Sequence, residues 1–260
     1  MKKIVVVIAL LCAVFTAASA EPIAGRMWEN LNFTVLCSPD LAFTVMPGHR
    51  WEFANNTAST ADTYFEELFV GPTWTFKLSD SLKIKLPIWY YYMGFPTKSS
   101  GAYPFSHNLE ILPIVEYKLA PALMLSSRSI FHNTFFASIN GSSSNGGFGW
   151  STLLREMVLV NYSLDASLTV FAGDELFVGL LTDANCAGVY GPGFSPSGID
   201  ENRIIAGFTY KISPELSITP QYIYSTTYLA SAGVGNAANG SPKLSAHNFY
   251  LTVTYLFKAF

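Results

Sequence analysis

Leu82-Lys83-Ile84-Lys85-Leu86-Pro87-Ile88-Trp89-Tyr90-Tyr91-Tyr92 sorts its residues into two sets by alternate position. Its even positions are Leu, Ile, Leu, Ile, Tyr and Tyr, all greasy, while the odd positions carry both lysines. A helix cannot separate those two sets. A strand does so automatically, because its side chains alternate between two faces.

The same period of two recurs along the chain. Glu201, Arg203, Ile205, Gly207, Thr209 and Lys211 interleave with Asn202, Ile204, Ala206, Phe208, Tyr210 and Ile212. Ser217, Thr219, Gln221, Ser225 and Thr227 alternate with Leu216, Ile218, Tyr222, Tyr224 and Tyr228. Phe249, Leu251, Val253, Tyr255 and Phe257 share one face of the last segment. The pattern predicts strands over 27–37, 41–54, 63–78, 82–94, 107–119, 122–135, 150–163, 167–179, 200–212, 216–229 and 247–258. Short polar turns such as Ser79-Asp80-Ser81 and Ser213-Pro214-Glu215 alternate with longer Gly/Ser/Asn-rich connections at 55–62, 95–106, 136–149, 180–199 and 230–246. Short turns at one end and long loops at the other are the habit of outer-membrane barrels, the short set being periplasmic.

Composition agrees. Half of the 260 residues are hydrophobic, 15% are aromatic and only 13% are charged. Beyond the N-terminus no apolar run approaches the ~20 residues that a membrane helix needs. Strands with one oily face resolve that combination. A second test is the placement of aromatics. Outward positions near the short turns include Phe76, Tyr117, Tyr162, Tyr210, Tyr255 and Phe257; near the long loops they include Trp51, Tyr64, Tyr90, Tyr92, Phe131, Phe177, Tyr228 and Phe249. Leu, Ile and Val lie between. A soluble exported β-sandwich would also alternate, but its oily face would be interior and would need no girdles. The expected fold is therefore all-β: an antiparallel transmembrane β-barrel of ten to twelve strands, with short periplasmic turns and longer extracellular loops.

The N-terminus reads as an export signal. Lys2-Lys3 precedes an apolar stretch from Ile4 to about Phe15, and Ala18-Ser19-Ala20 fits cleavage after Ala20. Residues 21–260 then form one barrel domain in the cell outer membrane. Leu10 and Leu11 ahead of Cys12 argue against a lipoprotein site. Cys37 and Cys186 fall at opposite ends of the barrel and are read as free thiols. A net charge of −3 argues against a nucleic-acid partner.

Three features strain the reading. Pro72, Pro87, Pro113 and Pro220 lie inside strands, where each removes a ladder hydrogen bond and would mark a bulge. Asp174 shares a face with Leu168, Val170, Leu176 and Val178, which calls for a bulge or an exchanged face. Eleven strands do not close antiparallel, so either the segment from Glu21 to Asp40 packs beneath ten strands or a twelfth exists.

Several C-terminal stretches carry a resemblance: Asp174-Glu175-Leu176-Phe177, Asp200-Glu201-Asn202-Arg203, and Gly207-Phe208-Thr209-Tyr210 followed by Tyr222 and Tyr224. With His247-Asn248 and Tyr255-Leu256-Phe257, they resemble a family of uncharacterised single-domain bacterial outer-membrane barrels known only as a domain of unknown function. The likeness covers about the last hundred residues. It implies a fold and a location, and no activity. The final aromatic, Phe260, also looks like the signal that barrel-assembly machinery reads during biogenesis.

Assigning faces places Arg50, Glu52, Glu67, Lys77, Lys83, Lys85, Glu110, Glu116, Lys118, Arg128, Glu175, Glu201, Arg203 and Lys211 on the lumen wall. Neighbouring strands offer opposite signs, with Glu175 beside Arg203 and Glu116 facing Lys83 or Lys85. One reading is an internal salt-bridge network that closes the lumen, since paired ions avoid an unpaired desolvation cost of several kcal/mol. The other is a narrow passive pore for small solutes, because ten to twelve strands enclose a lumen between the filled and the open barrels. Lys77, Lys83, Lys85 and Lys118 would then make its periplasmic mouth favour small anions. An enzyme is the least supported class. Of His49, His107, His132 and His247, only His132 points inward as a candidate base, and no nucleophile motif accompanies it. No catalytic residue, cofactor or metal ligand is assigned. The expected partners are outer-membrane lipid and the assembly machinery, with small anions at the mouth.

Overall fold

The computed structural model describes residues 23–54, 62–95, 105–138, 146–182, 198–228 and 244–259. The expected export signal, Cys186, Phe260 and most of the long connections lie outside them, as does the Tyr64 side chain. The described residues form β1 (Ile23–Ser38), β2 (Leu41–Ala54), β3 (Asp62–Lys77), β4 (Leu82–Gly94), β5 (Phe105–Ile111), β6 (Ile114–Ala120), β7 (Leu123–Ser138), β8 (Gly146–Ser163), β9 (Leu168–Thr182), β10 (Gly198–Lys211), β11 (Leu216–Thr227) and β12 (Leu244–Lys258).

All twelve strands belong to one sheet, in which β5 and β6 both lie between β4 and β7. They are the two halves of a single crossing interrupted at Leu112-Pro113, so the wall has eleven crossings. Sequence neighbours pair antiparallel around the whole sheet. The ring closes where β1 pairs with β12 in parallel, from Ile23 opposite Ser245 to Leu36 opposite Lys258. That seam answers the parity problem without either expected remedy. The first segment is part of the wall, and an odd number of crossings closes through one parallel pair. The molecule is a closed transmembrane β-barrel.

The short turns share a local device. Ser79 Oγ accepts hydrogen bonds from the backbone N–H of Ser81 and Leu82. Asp165 Oδ1 accepts from Ser167 and Leu168, and Ser213 Oγ accepts from Glu215 and Leu216. In each case the flanking residue closes the turn with a backbone bond: Leu78 to Leu82, Leu164 to Leu168, and Ile212 to Leu216. Ser and Asp suit these places because their short side chains satisfy turn N–H groups that no ladder reaches.

The prolines act differently from bulges. Pairing of β3 with β4 skips from Val70–Tyr90 to Thr73–Pro87, and pairing of β10 with β11 skips from Gly207–Gln221 to Tyr210–Ile218, without a register shift in either. Across Pro113 the register of β4 against β5 continues into β6. Rungs are lost while the alternation of faces survives. Gly71 belongs to the same break: a Cβ there would sit 2.2 Å from the Ile88 carbonyl oxygen, so only glycine fits.

The outer surface carries the large apolar side chains. Phe76, Tyr117, Tyr162, Tyr210, Tyr255 and Phe257 are exposed toward the short turns, and Trp51, Tyr90, Phe131 and Phe249 toward the long loops. Val45, Val158, Val160 and Ile204 are among the exposed aliphatic residues between them. Phe177 departs from the expected girdle. It follows Glu175 at a spacing of two and is buried inside the barrel. Asp174 does face outward, because β9 keeps continuous register with both neighbours there; its two carboxylate oxygens accept from the Asn202 amide at 2.9 and 3.0 Å. Neither a bulge nor an exchanged face is present at that point.

Candidate functional site

The interior positions of the strands fall into two levels. Toward mid-height, side chains from distant parts of the ring meet across the lumen. Trp28 of β1, Met157 of β8, Ile205 of β10 and Ile223 of β11 form one buried apolar cluster, with Leu159, Phe171 and Tyr250 packed against it. β1 and β8 are far apart around the ring, so this cluster reaches across the lumen. A second cluster, of Phe65, Phe69 and Tyr91, lines the β3–β4 wall, where Phe69 and Tyr91 stack with ring centres 4.0 Å apart.

Charges are threaded between these clusters. Glu175 is 2% exposed. Arg128 donates to it from Nη2 at 3.0 Å, Arg155 from Nη2 at 3.0 Å and Nε at 3.2 Å, and Arg203 stands 3.5 Å away. Arg203 also grips Glu201 through two nitrogens, at 2.7 and 3.2 Å. On the opposite wall, along adjacent strands, Arg50 donates to Glu67 at 2.7 Å, and the Tyr91 hydroxyl donates to the same carboxylate oxygen at 2.8 Å. Guanidinium groups cover the aromatic faces. Arg50 lies 4.2 Å from the Trp28 ring and 4.1 Å from Phe65, while Arg203 lies 5.0 Å from Trp28 and 4.3 Å from Phe177. Trp28 is thus held between arginines of β2 and β10. Arginine suits this role because its planar, weakly hydrated fork can stack and donate in one geometry.

Glu110 is 1% exposed and bonds His132 Nδ1 at 2.9 Å. Thr134, 3.4 Å from His132 Nε2, also hydrogen-bonds Asn108. These side chains form a buried polar network, with no exposed surface at Thr134. Nearer the loop end, Arg26 donates to Glu52 at 2.8 Å.

The second level is a cavity of about 300 Å³ at the short-turn end. Lys77, Lys83, Lys118 and Glu116 are on its wall. Glu116 lies 3.3 Å from Lys83 and bonds Lys85, and Lys77 lies 2.9 Å from Asp80. The Lys77 ammonium holds the exposed Asp80 carboxyl below its ordinary range. Lys211 is exposed at the short-turn end of β10 and is not on the wall of this cavity. Cys37 is free and exposed, and among the described residues no group of three His, Cys, Asp or Glu is placed to hold a metal.

Arg155 and Arg26 escaped the assignment of faces. For Arg155 the signal was present: Tyr162 faces outward, so a spacing of seven turns Arg155 inward and leaves Glu156 outward. Glu156 does face outward, where the hydroxyls of Ser127 and Ser129 both donate to it. Arg26 lies one residue ahead of the alternating segment, and a register shift follows Gly25, so spacing alone could not place it.

Two solved structures show an overall likeness. The NanC porin, in its rhombohedral crystal form, is 11% identical with a TM-score of 0.47, covering 88% of this chain and 97% of its own. The outer-membrane channel DcaP of Acinetobacter baumannii is 8% identical with a TM-score of 0.33, covering 83% of each chain. No curated protein matches. One family model does match, from residue 25 to 235; it shows no emphasis on the last hundred residues and stops short of His247-Asn248 and Tyr255-Leu256-Phe257. The chain belongs to the family described as protein of unknown function (DUF2490).

Proposed function

We propose that this chain is an outer-membrane β-barrel whose lumen is closed at mid-height, a sealed body that presents its loops and a short-turn vestibule to the two sides of the envelope. The observation that carries this is the buried cluster of Trp28, Met157, Ile205 and Ile223, drawn from distant strands and locked by the arginines around Glu175. An exposed apolar belt with aromatics at both ends supports the membrane address, as does the export signal ending at Ala20. Lipid is the solvent of the outer face, and barrel-assembly machinery is the partner during biogenesis. Chemistry at His132 has no support from its surroundings, because its imidazole is buried against Glu110.

The test is conductance of the folded, heat-modifiable protein in a planar bilayer. The unmodified chain is expected to be silent. Trp28→Ala combined with Glu175→Gln, which removes the bridge and its anchor together, is expected to introduce ion flow. Steady conductance by the unmodified chain would overturn the closed-lumen reading.

A second reading is a narrow passive pore that prefers small anions. Its motivating feature is the group of Lys77, Lys83, Lys85 and Lys118 at the short-turn mouth. It calls for steady conductance whose anion preference reverses in Lys83→Glu/Lys85→Glu. Conductance without preference between anions and cations would remove that selectivity.

A further inference from the structure

We propose that the short-turn vestibule is a binding site for a small hydroxylated anion, a carboxylate or phosphate on a sugar-sized body. The space comes first. A cavity of about 300 Å³ stands at the lower end of the ~300–1,000 Å³ usual for ligand pockets, so it suits a monosaccharide-sized guest. Charge comes second. Lys77, Lys83 and Lys118 on the wall meet two carboxylates, Asp80 and Glu116, which leaves an excess of one positive charge. Glu116 is shared by Lys83 and Lys85, and Asp80 sits on the exposed turn beside Lys77. Lys118 forms no close ion pair with either, so its ammonium is the cation most available to a guest.

The polar complement comes third. Hydroxyls of Ser79, Ser81, Ser163 and Thr169 line the same space and can donate or accept. The Asn161 Nδ2 amide, at the wall, is buried and has no hydrogen-bond partner. A buried donor without a partner is costly, and an anionic or hydroxyl oxygen is what would satisfy it. The cluster around Trp28, whose Leu159 and Phe171 lie one inward position above Asn161 and Thr169, gives this pocket a floor. The binding itself does not depend on that floor being impermeable, so the proposal stands apart from the closed-lumen reading.

The experiment is isothermal titration of the full-length folded protein in detergent micelles with three probes: glucuronate, glucose 6-phosphate and glucose. Saturable one-to-one binding of at least one anion, with glucose at least tenfold weaker, is expected. Raising the salt concentration should weaken the anion but not glucose. Lys118→Glu should reduce anion affinity tenfold or more, whereas Lys211→Glu, the same charge change outside the cavity, should leave it within twofold. A stronger response to glucuronate identifies the guest as a carboxylate, and a stronger response to glucose 6-phosphate identifies it as a phosphate. Equal binding of glucose, binding of none of the three, or equal damage by Lys211→Glu and Lys118→Glu would overturn the proposal. Heat-modifiable gel mobility of each variant confirms that it is folded. Because the readout is binding and not ion flow, a conducting barrel would leave this result intact.

Discussion

At the residue scale, the interior depends on a few ions that are useful only while they remain paired. Glu175 is the common acceptor for Arg128 and Arg155 and has Arg203 beside it, so its carboxylate offsets charge contributed by three strands. Removing one partner of a buried ion pair costs more than the pair contributes, because the survivors stay desolvated. Glu175→Gln is therefore expected to destabilise the barrel by about 3–5 kcal/mol, read as a lower urea midpoint for refolding into lipid vesicles; a loss below about 1 kcal/mol would show that the arginines find other acceptors. At the opposite extreme, Lys77 and Asp80 are exposed on a turn and contribute little to stability. Their pairing is visible in titration. Asp80 is held below the ordinary aspartate value of 3.8, mainly by its bond to Lys77, so the pair is intact at neutral pH and is lost as pH falls through the lowered value. Carboxyl NMR should find the Asp80 midpoint below 3.8, and Lys77→Gln should raise it.

At the scale of the strand, alternation persists through features that interrupt hydrogen bonding. Pro72, Pro87, Pro113 and Pro220 remove rungs but no residue is inserted, so charged and apolar faces stay in phase on either side. This is why Glu110 and Glu116 share a face although they lie on different halves of one crossing. The outer face of β8 and β9 is less orthodox. Glu156 and Asp174 point toward the apolar belt, each held by polar neighbours from the adjacent strand. A carboxylate in that position is disfavoured, though by less than the ~2–4 kcal/mol of a lysine or arginine at the bilayer midplane. Replacing both members of one pair, Asp174→Leu with Asn202→Leu, leaves no orphan behind. The double variant should raise the unfolding midpoint in vesicles by about 1–2 kcal/mol. An unchanged or lowered midpoint would mean that these side chains meet a polar environment on the outside.

For the whole molecule, closure of the wall and the cluster inside it are coupled. Eleven crossings close only through a parallel seam, and the seam brings β1 beside β12, which puts Trp28 opposite Tyr250 and aims it at Met157 and Ile205. The pairing is directly testable. In a background lacking the native cysteines, Leu31→Cys with Val253→Cys should form a disulfide on mild oxidation, because those residues are register partners. Leu31→Cys with Phe249→Cys should not. The reverse result would require β1 to run the other way or to leave the wall.

The fold class, the eleven crossings and the short-turn end were legible in the sequence alone. All of these follow from a side-chain period of two, which is local and is written into each segment independently. It also contained enough to place Arg155 inward, and the inward placement of Phe177 follows from its spacing to Glu175. What only the tertiary structure decided was contact between residues that no local period relates. The parallel seam, the bridge from Trp28 to Arg50 and Arg203, and the gathering of three arginines on Glu175 all depend on the curvature of a closed wall. Curvature is a collective property of strand number, stagger and tilt, and it sets which inward side chains are near enough to touch.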